Sequence, residues 1–177
     1  MFCDEGVGAY AVEAIRANYR YPANLTIVEG GTLGFRLMEY YQSYDTIVIV
    51  GTGSHQGAPG TIAVRSAEEL IAEGKVKKTA NEVEIAMMIE ICSFHEAMGE
   101  VELISIVPED IVSVRNGLSE TLLEALPAFE AVIVDRLRLH GVAIEPLPQR
   151  RMQYAAILDA FANPKQATYA NSVQPEV

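Results

Sequence analysis

The chain has 177 residues, half of them hydrophobic and 21% charged, and 13 basic against 24 acidic side chains leave a formal net charge of −11. That describes one globular domain with enough length to bury a core, and two cysteines, Cys3 and Cys92, make no disulfide framework. The acidic balance excludes a nucleic-acid partner, the four glycines, proline, histidine and glutamine between Thr46 and Val64 exclude a membrane span, and the acidic start Met1-Phe2-Cys3-Asp4-Glu5 excludes a secretory leader, so the expected compartment is the cytoplasm.

Gly6 to Tyr19 places apolar side chains at helical spacing behind Asp4 and Glu5, whose carboxylates suit a helix N-terminus. Leu25-Thr26-Ile27-Val28 reads as a strand closed by Gly30-Gly31, and Thr32 to Gln42 as a helix capped by Thr32. Thr46-Ile47-Val48-Ile49-Val50 is a continuous apolar run, expected in the doubly covered middle of a parallel sheet. Ala58-Pro59-Gly60 is a turn, Thr61 to Val64 a strand and Ala67 to Glu73 a short helix. Ala80 to Met98 is apolar on most sides and is expected to be largely buried. Val101 to Val107 is a strand stopped by Pro108. Leu118 to His140 is helical, with Pro127 expected to kink or divide it. Beyond Glu145 the pattern weakens to a loosely held helix near Met152 to Phe161 and a disordered polar tail.

Alternating strands and helices give an α/β class, a three-layer helix/sheet/helix with a mostly parallel twisted sheet. Ligands in such sheets bind beyond the carboxyl ends of the strands, which directs attention to Gly30-Gly31-Thr32, to Gly51 through Gly57 and to Pro108-Glu109-Asp110. Gly51-Thr52-Gly53-Ser54-His55-Gln56-Gly57 fails as a dinucleotide loop, because a turn and a strand follow where a helix must receive the pyrophosphate; it reads as a mobile glycine-rich loop. Glu29-Gly30-Gly31-Thr32-Leu33-Gly34 reads equally as an anion or peptide cradle and as a tight strand-to-helix turn. His55, His95 and His140 have no metal-ligand spacing, and His95 and His140 read as structural. No Gly-x-Ser-x-Gly elbow is present, and Cys92 reads as a core thiol.

Taken together, Phe2-Cys3-Asp4-Glu5-Gly6-Val7-Gly8, Glu29-Gly30-Gly31-Thr32, Asp45 to Gly51, Ala58-Pro59-Gly60-Thr61, Asn81-Glu82-Val83-Glu84, Val107-Pro108-Glu109-Asp110 and Gly117-Leu118-Ser119 closely resemble the maturation endopeptidases of nickel-iron hydrogenases. The resemblance covers residues 2 to 143, giving a protease-like domain over 1–143 and a C-terminal extension over 144–177, partly helical or disordered. It implies an endopeptidase that removes the C-terminal extension of the hydrogenase large-subunit precursor after nickel insertion. Such an enzyme reads the nickel carried by the substrate and holds no cofactor of its own.

The resemblance also implies a nickel-binding set of one glutamate, one aspartate and one histidine. The glutamate is Glu5, whereas the aspartate position is Gly51 and the histidine position is Asn81. A glycine offers no side-chain ligand and an amide is a weak donor, so the substitutions point to a second reading, a catalytically inactive member that binds or chaperones the precursor. His55 swinging back, with Asp4 adding an oxygen, is the alternative that would refill the site. Asp4, Gly30, Gly31 and Thr32 are the implied substrate cleft. The family's first strand runs straight into the glutamate loop and is not found ahead of residue 2, so the expectation is either that translation starts upstream and the domain over 1–143 is N-terminally incomplete, or that the sheet has lost that strand. As written, the chain is expected to be poorly soluble or marginally stable.

Overall fold

The computed structural model describes residues 3–31, 34–72, 80–93 and 98–163. In chain order these form a 3-10 turn Cys3–Gly6, α1 Val7–Asn18, β1 Tyr19–Arg20, a 3-10 turn Gly34–Leu37, α2 Met38–Ser43 and β2 Thr46–Thr52. Next come β3 Ile62–Ser66, α3 Ala67–Ala72, α4 Ala80–Ser93, β4 Glu100–Ile106, α5 Glu120–Leu139, β5 Glu145–Pro146 and α6 Tyr154–Ala162. The expected cap Thr32, His95 and the tail from residue 164 lie outside the described residues.

Successive side chains of a strand point to opposite faces, and that alternation sorts the core into two halves. Val48 and Val50 of β2 with Ile104 and Ile106 of β4 face α1, α5 and α6, whereas Ile47 and Ile49 with Val101 and Leu103 face α2, α3 and α4. The three-layer α/β architecture is therefore present. On the first face α1 presents Val7, Tyr10, Ala11, Ala14 and Ile15, all buried, at helical spacing. Its Gly8 allows a close approach to the sheet: a Cβ there would stand 2.3 Å from the Val50 carbonyl oxygen.

The main sheet has the order β2-β4-β3, with β2 parallel and β3 antiparallel to β4. It is thus a mixed sheet, with one parallel and one antiparallel pairing. The turn at Ala58-Pro59-Gly60, with Gly60 at φ +87°, reverses the chain across the carboxyl end of β4, where Gly60 N donates to Val107 O and Val107 N to Thr61 O. The doubly flanked strand is β4, with six of its seven residues buried; β2, expected there, is half-buried and has no ladder on its other edge among the described residues. Leu25 to Val28, expected as a strand, forms no ladder either, although Leu25 and Ile27 pack on the α1 side of the core.

Two further expectations are corrected. The helix through Pro127 is continuous from Glu120 to Leu139. Helix α4 buries Met88, Ile89 and Cys92 but leaves Met87 half-exposed and Glu84 and Glu90 in solvent, so it is covered on one face only.

The C-terminal extension is tightly docked as far as Asn163. The Asn18 amide donates to Met152 O and accepts from Met152 N, β5 pairs with β1, and Ile157 of α6 is buried in the α1–α5 face. Buried Glu130 accepts from the Tyr19 and Tyr154 hydroxyls and from Arg150, whose guanidinium lies 4.3 Å over the Tyr154 ring. Burial and then the Glu130 carboxylate push the Tyr154 phenol well above its ordinary range.

The unladdered edge of β2 carries a prediction. A version of this chain with an apolar strand added ahead of Cys3 is expected to melt at least about 5 °C higher in calorimetry, since each kcal/mol moves a domain of this size by about 2–4 °C. Equal, cooperative and monomeric transitions of the two chains would overturn it.

A second prediction concerns acid. Burial pulls the Glu102 carboxyl up, but hydrogen bonds from Arg136 and His140, reinforced by their charges, outweigh it and hold it below its ordinary value. The stability it contributes is present above the unfolded value near 4.5 and is lost as pH falls through the lower folded value. In urea titrations, the gap between the unaltered chain and Glu102→Gln is expected to be full at pH 6 and to close as pH falls below 4.5.

Candidate functional site

The carboxyl ends of β2 and β4 lie at the same end of the sheet, and three segments gather there: the Cys3–Gly6 turn, the loop after β2 and the loop after β4. Asp4 joins the first to the last. It is 0% exposed, and its carboxylate accepts from Glu109 N at 2.9 Å, Asp110 N at 2.8 Å, Ser119 N at 2.7 Å and the Ser119 hydroxyl at 2.9 Å. Ser119 in turn caps α5 by accepting from Leu122 N, so one carboxylate anchors the loop and the helix start together. Asp4 is therefore a buried hub, not an exposed cleft wall. Burial, then the Asp4 charge, pushes the neighbouring Cys3 thiol up from its ordinary value.

Glu5 follows Asp4 in this turn and is partly exposed. One helical turn further, the Cβ position of Gly8 stands 3.2 Å from Gly51 Cα, so the segment carrying Glu5 abuts the end of β2. At Gly51 itself no heavy atom of the described residues lies within 4 Å of the Cβ position, so a side chain there would meet none of them.

The loop after Gly51 is clamped, in contrast to the mobile loop that its glycines suggest. Glu82 of α4 is 0% exposed; its carboxylate accepts from Ser54 N at 3.0 Å, from Ser54 Oγ at 2.6 Å and from Arg65 Nη2 at 2.6 Å. The same Nη2 donates to Ser105 Oγ at 3.1 Å, and His55 bridges outward, its Nδ1 3.4 Å from Ser105 Oγ and its Nε2 3.2 Å from Thr61 O. Gly53 is required in this loop, because a Cβ would stand 2.5 Å from Ser105 Oγ and 2.9 Å from Arg65 Nη2. His55 is thus engaged with β4 and the turn. The Ser105–His55 pair is no nucleophile and base, since Ser105 is wholly buried.

Through Glu82 the start of α4, and with it position 81, is tied to the loop after Gly51. The turn of Glu5 and Gly51 thus meet at the end of β2, and the start of α4 is bonded to the loop that follows; a Cβ at Gly30 would stand 3.6 Å from the Leu37 side chain, Gly31 is exposed, and Thr32 lies outside the described residues. As a donor set, one carboxylate, one glycine and one amide do not fit a nickel ion, which needs several deprotonated or imidazole ligands. No group of three or more histidine, cysteine, aspartate or glutamate side chains could hold a metal among the described residues. The Arg65–Glu82–Ser54–Ser105 network was not legible as a site beforehand; its one sequence signal is the arginine in the otherwise apolar strand Thr61-Ile62-Ala63-Val64-Arg65.

Fold and site together define a three-layer α/β domain with buried polar clusters at the carboxyl end of its parallel strand pair. A model of the hydrogenase maturation protease family, HycI, matches residues 9–136, and the chain belongs to that family. It is 30% identical over 150 residues to the hydrogenase 2 maturation protease of Escherichia coli strain K12, covering 82% of this chain and 90% of that protein. It is 28% identical over 153 residues to the hydrogenase expression/formation protein HupD of Rhizobium leguminosarum bv. viciae, covering 84% of this chain and 75% of that one. The solved structure of the hydrogenase maturating endopeptidase HybD from E. coli superposes with a TM-score of 0.74 at 26% identity, over 82% of this chain and 90% of that one. No helix among the described residues is long and apolar enough to cross a membrane.

Asp4→Ala would orphan three backbone amides and free the α5 cap. It is expected to cost about 3 kcal/mol or more in urea unfolding, whereas a loss under about 1 kcal/mol would show that the hub is dispensable.

Proposed function

We propose that this chain works on the precursor of the nickel-iron hydrogenase large subunit, at the step where the family's endopeptidase removes the C-terminal extension after nickel insertion. The observation that supports this is the meeting of the Glu5 turn with Gly51 at the end of β2, with the start of α4 bonded to the loop that follows, in a chain of this family. Glu5, in the turn fixed by Asp4, supplies the carboxylate that faces the substrate. The bare backbone at Gly51, Gly30 and Gly31 leaves room for an extended segment.

The donor set favours one specific version of this reading. Nickel belongs to the substrate, and recognising it takes ligands that Gly51 and Asn81 do not provide. The chain accordingly holds or chaperones the precursor and leaves it uncut, while the plain endopeptidase reading requires that Glu5 alone suffice.

The test is to incubate nickel-loaded precursor with the unaltered chain and with the Gly51→Asp, Asn81→His double variant, following the mass of the large subunit. Capture without cleavage by the unaltered chain, independent of nickel, and cleavage by the double variant are the expected results. Cleavage by the unaltered chain overturns the holding reading in favour of the plain endopeptidase, and no association at all overturns both.

A further inference from the structure

The loop between β4 and α5 exposes apolar side chains that packing does not explain. Val112 is 82% exposed and Val114 77%, with Ile111 beside them at 36%. Slack loops also expose valines, but this one is held on all sides. Cys3 N donates to Ser113 O at 3.1 Å and Asp4 N to Asp110 O at 3.0 Å, while Asp110 Oδ1 accepts from Val112 N at 3.1 Å and Ser113 N at 2.9 Å. At its far end Gly117 N donates to the buried Tyr10 hydroxyl. Hydrogen bonds from Ser113 and then from Val112 hold the Asp110 carboxyl below its ordinary value. The loop is a rigid apolar ledge, and it is bonded directly to the turn that carries Glu5.

Its charge also departs from the rest of the chain. Between Ile111 and Ser119 the one formal charge is Arg115, in a molecule of net charge −11. The Arg115 side chain is 52% exposed and lies 4.0 Å from Asp110.

We propose that Ile111, Val112, Val114 and Arg115 form a docking ledge for the hydrogenase large-subunit precursor, taking an apolar segment that carries a carboxylate opposite Arg115. This rests on the functional reading above. Continuity with the Glu5 turn places the ledge where a substrate reaching positions 5 and 51 must pass. Arg115, half-exposed and only loosely paired with Asp110 at 4.0 Å, offers an acidic segment a favourable contact in a chain of net charge −11. Rigidity means that little ordering entropy is lost on binding.

The test measures affinity of the full chain for purified precursor by biolayer interferometry, for the unaltered protein, Val112→Asp, Val112→Ser with Val114→Ser, and Arg115→Glu. The milder serine pair guards against misfolding, and each variant is checked for an unchanged melting temperature. Burying a valine is worth at least about tenfold in affinity, so both valine variants are expected to bind at least tenfold more weakly, and Arg115→Glu severalfold more weakly with loss of salt dependence. Affinities within twofold of the unaltered chain would overturn the ledge while leaving the functional reading intact; no binding by the unaltered chain would sink both. Loss on the valines with Arg115→Glu unaffected overturns the carboxylate contact. Concentration-dependent self-association abolished by Val112→Asp, at unchanged precursor affinity, assigns the face to a second copy and overturns the proposal.

Discussion

The structure depends on one buried carboxylate. Asp4 satisfies three backbone N–H groups and a hydroxyl from two segments more than a hundred residues away, and a carboxylate is the group that can accept so many donors at once. Its charge is placed at the start of α5, where the helix dipole favours an anion. From that anchor follow the direction of α5, the seating of the loop after β4 and the position of the neighbouring Glu5. The loop that exposes Val112 and Val114 would have no fixed place without it.

A second buried charge does the same for the other wall. Glu82 is neutralised by Arg65 and clamps Ser54, so the loop after β2 is set by an ion pair inside the domain. Removing one member of such a pair leaves an uncompensated charge in low dielectric, which makes the arrangement unforgiving. The carboxyl end of β2 is thereby framed by two fixed walls, the turn that carries Glu5 on one side and the clamped Ser54 loop on the other.

Much of this was legible from residues alone. The 3.6-residue period of Val7 to Ile15 and the β-branched runs at Thr46–Val50 and Val101–Ile106 located the central elements, because burial of one face leaves a periodic imprint. Leu25 to Val28 shows the limit of that reasoning: its β-branched residues are strand-like, but a strand needs a neighbour to bond, and among the described residues it has none. The antiparallel course of β3 and the demotion of β2 from the middle of the sheet are likewise decisions of pairing, which no local pattern records. At the site, the motif containing Asp4 and Glu5 was visible, but which of the two faces inward was not.

The sequence by itself determined the α/β class, and through the resemblance of its motifs the family, because periodicity and motif order are properties of the chain. Only the tertiary structure decided that Asp4 is a buried hub, that the glycine loop is clamped by Glu82 and Arg65, and that the extension through α6 belongs to the core. Those outcomes join residues 17 to 134 positions apart, and whether a polar side chain meets a partner or meets water is settled by the long-range packing that brings them together.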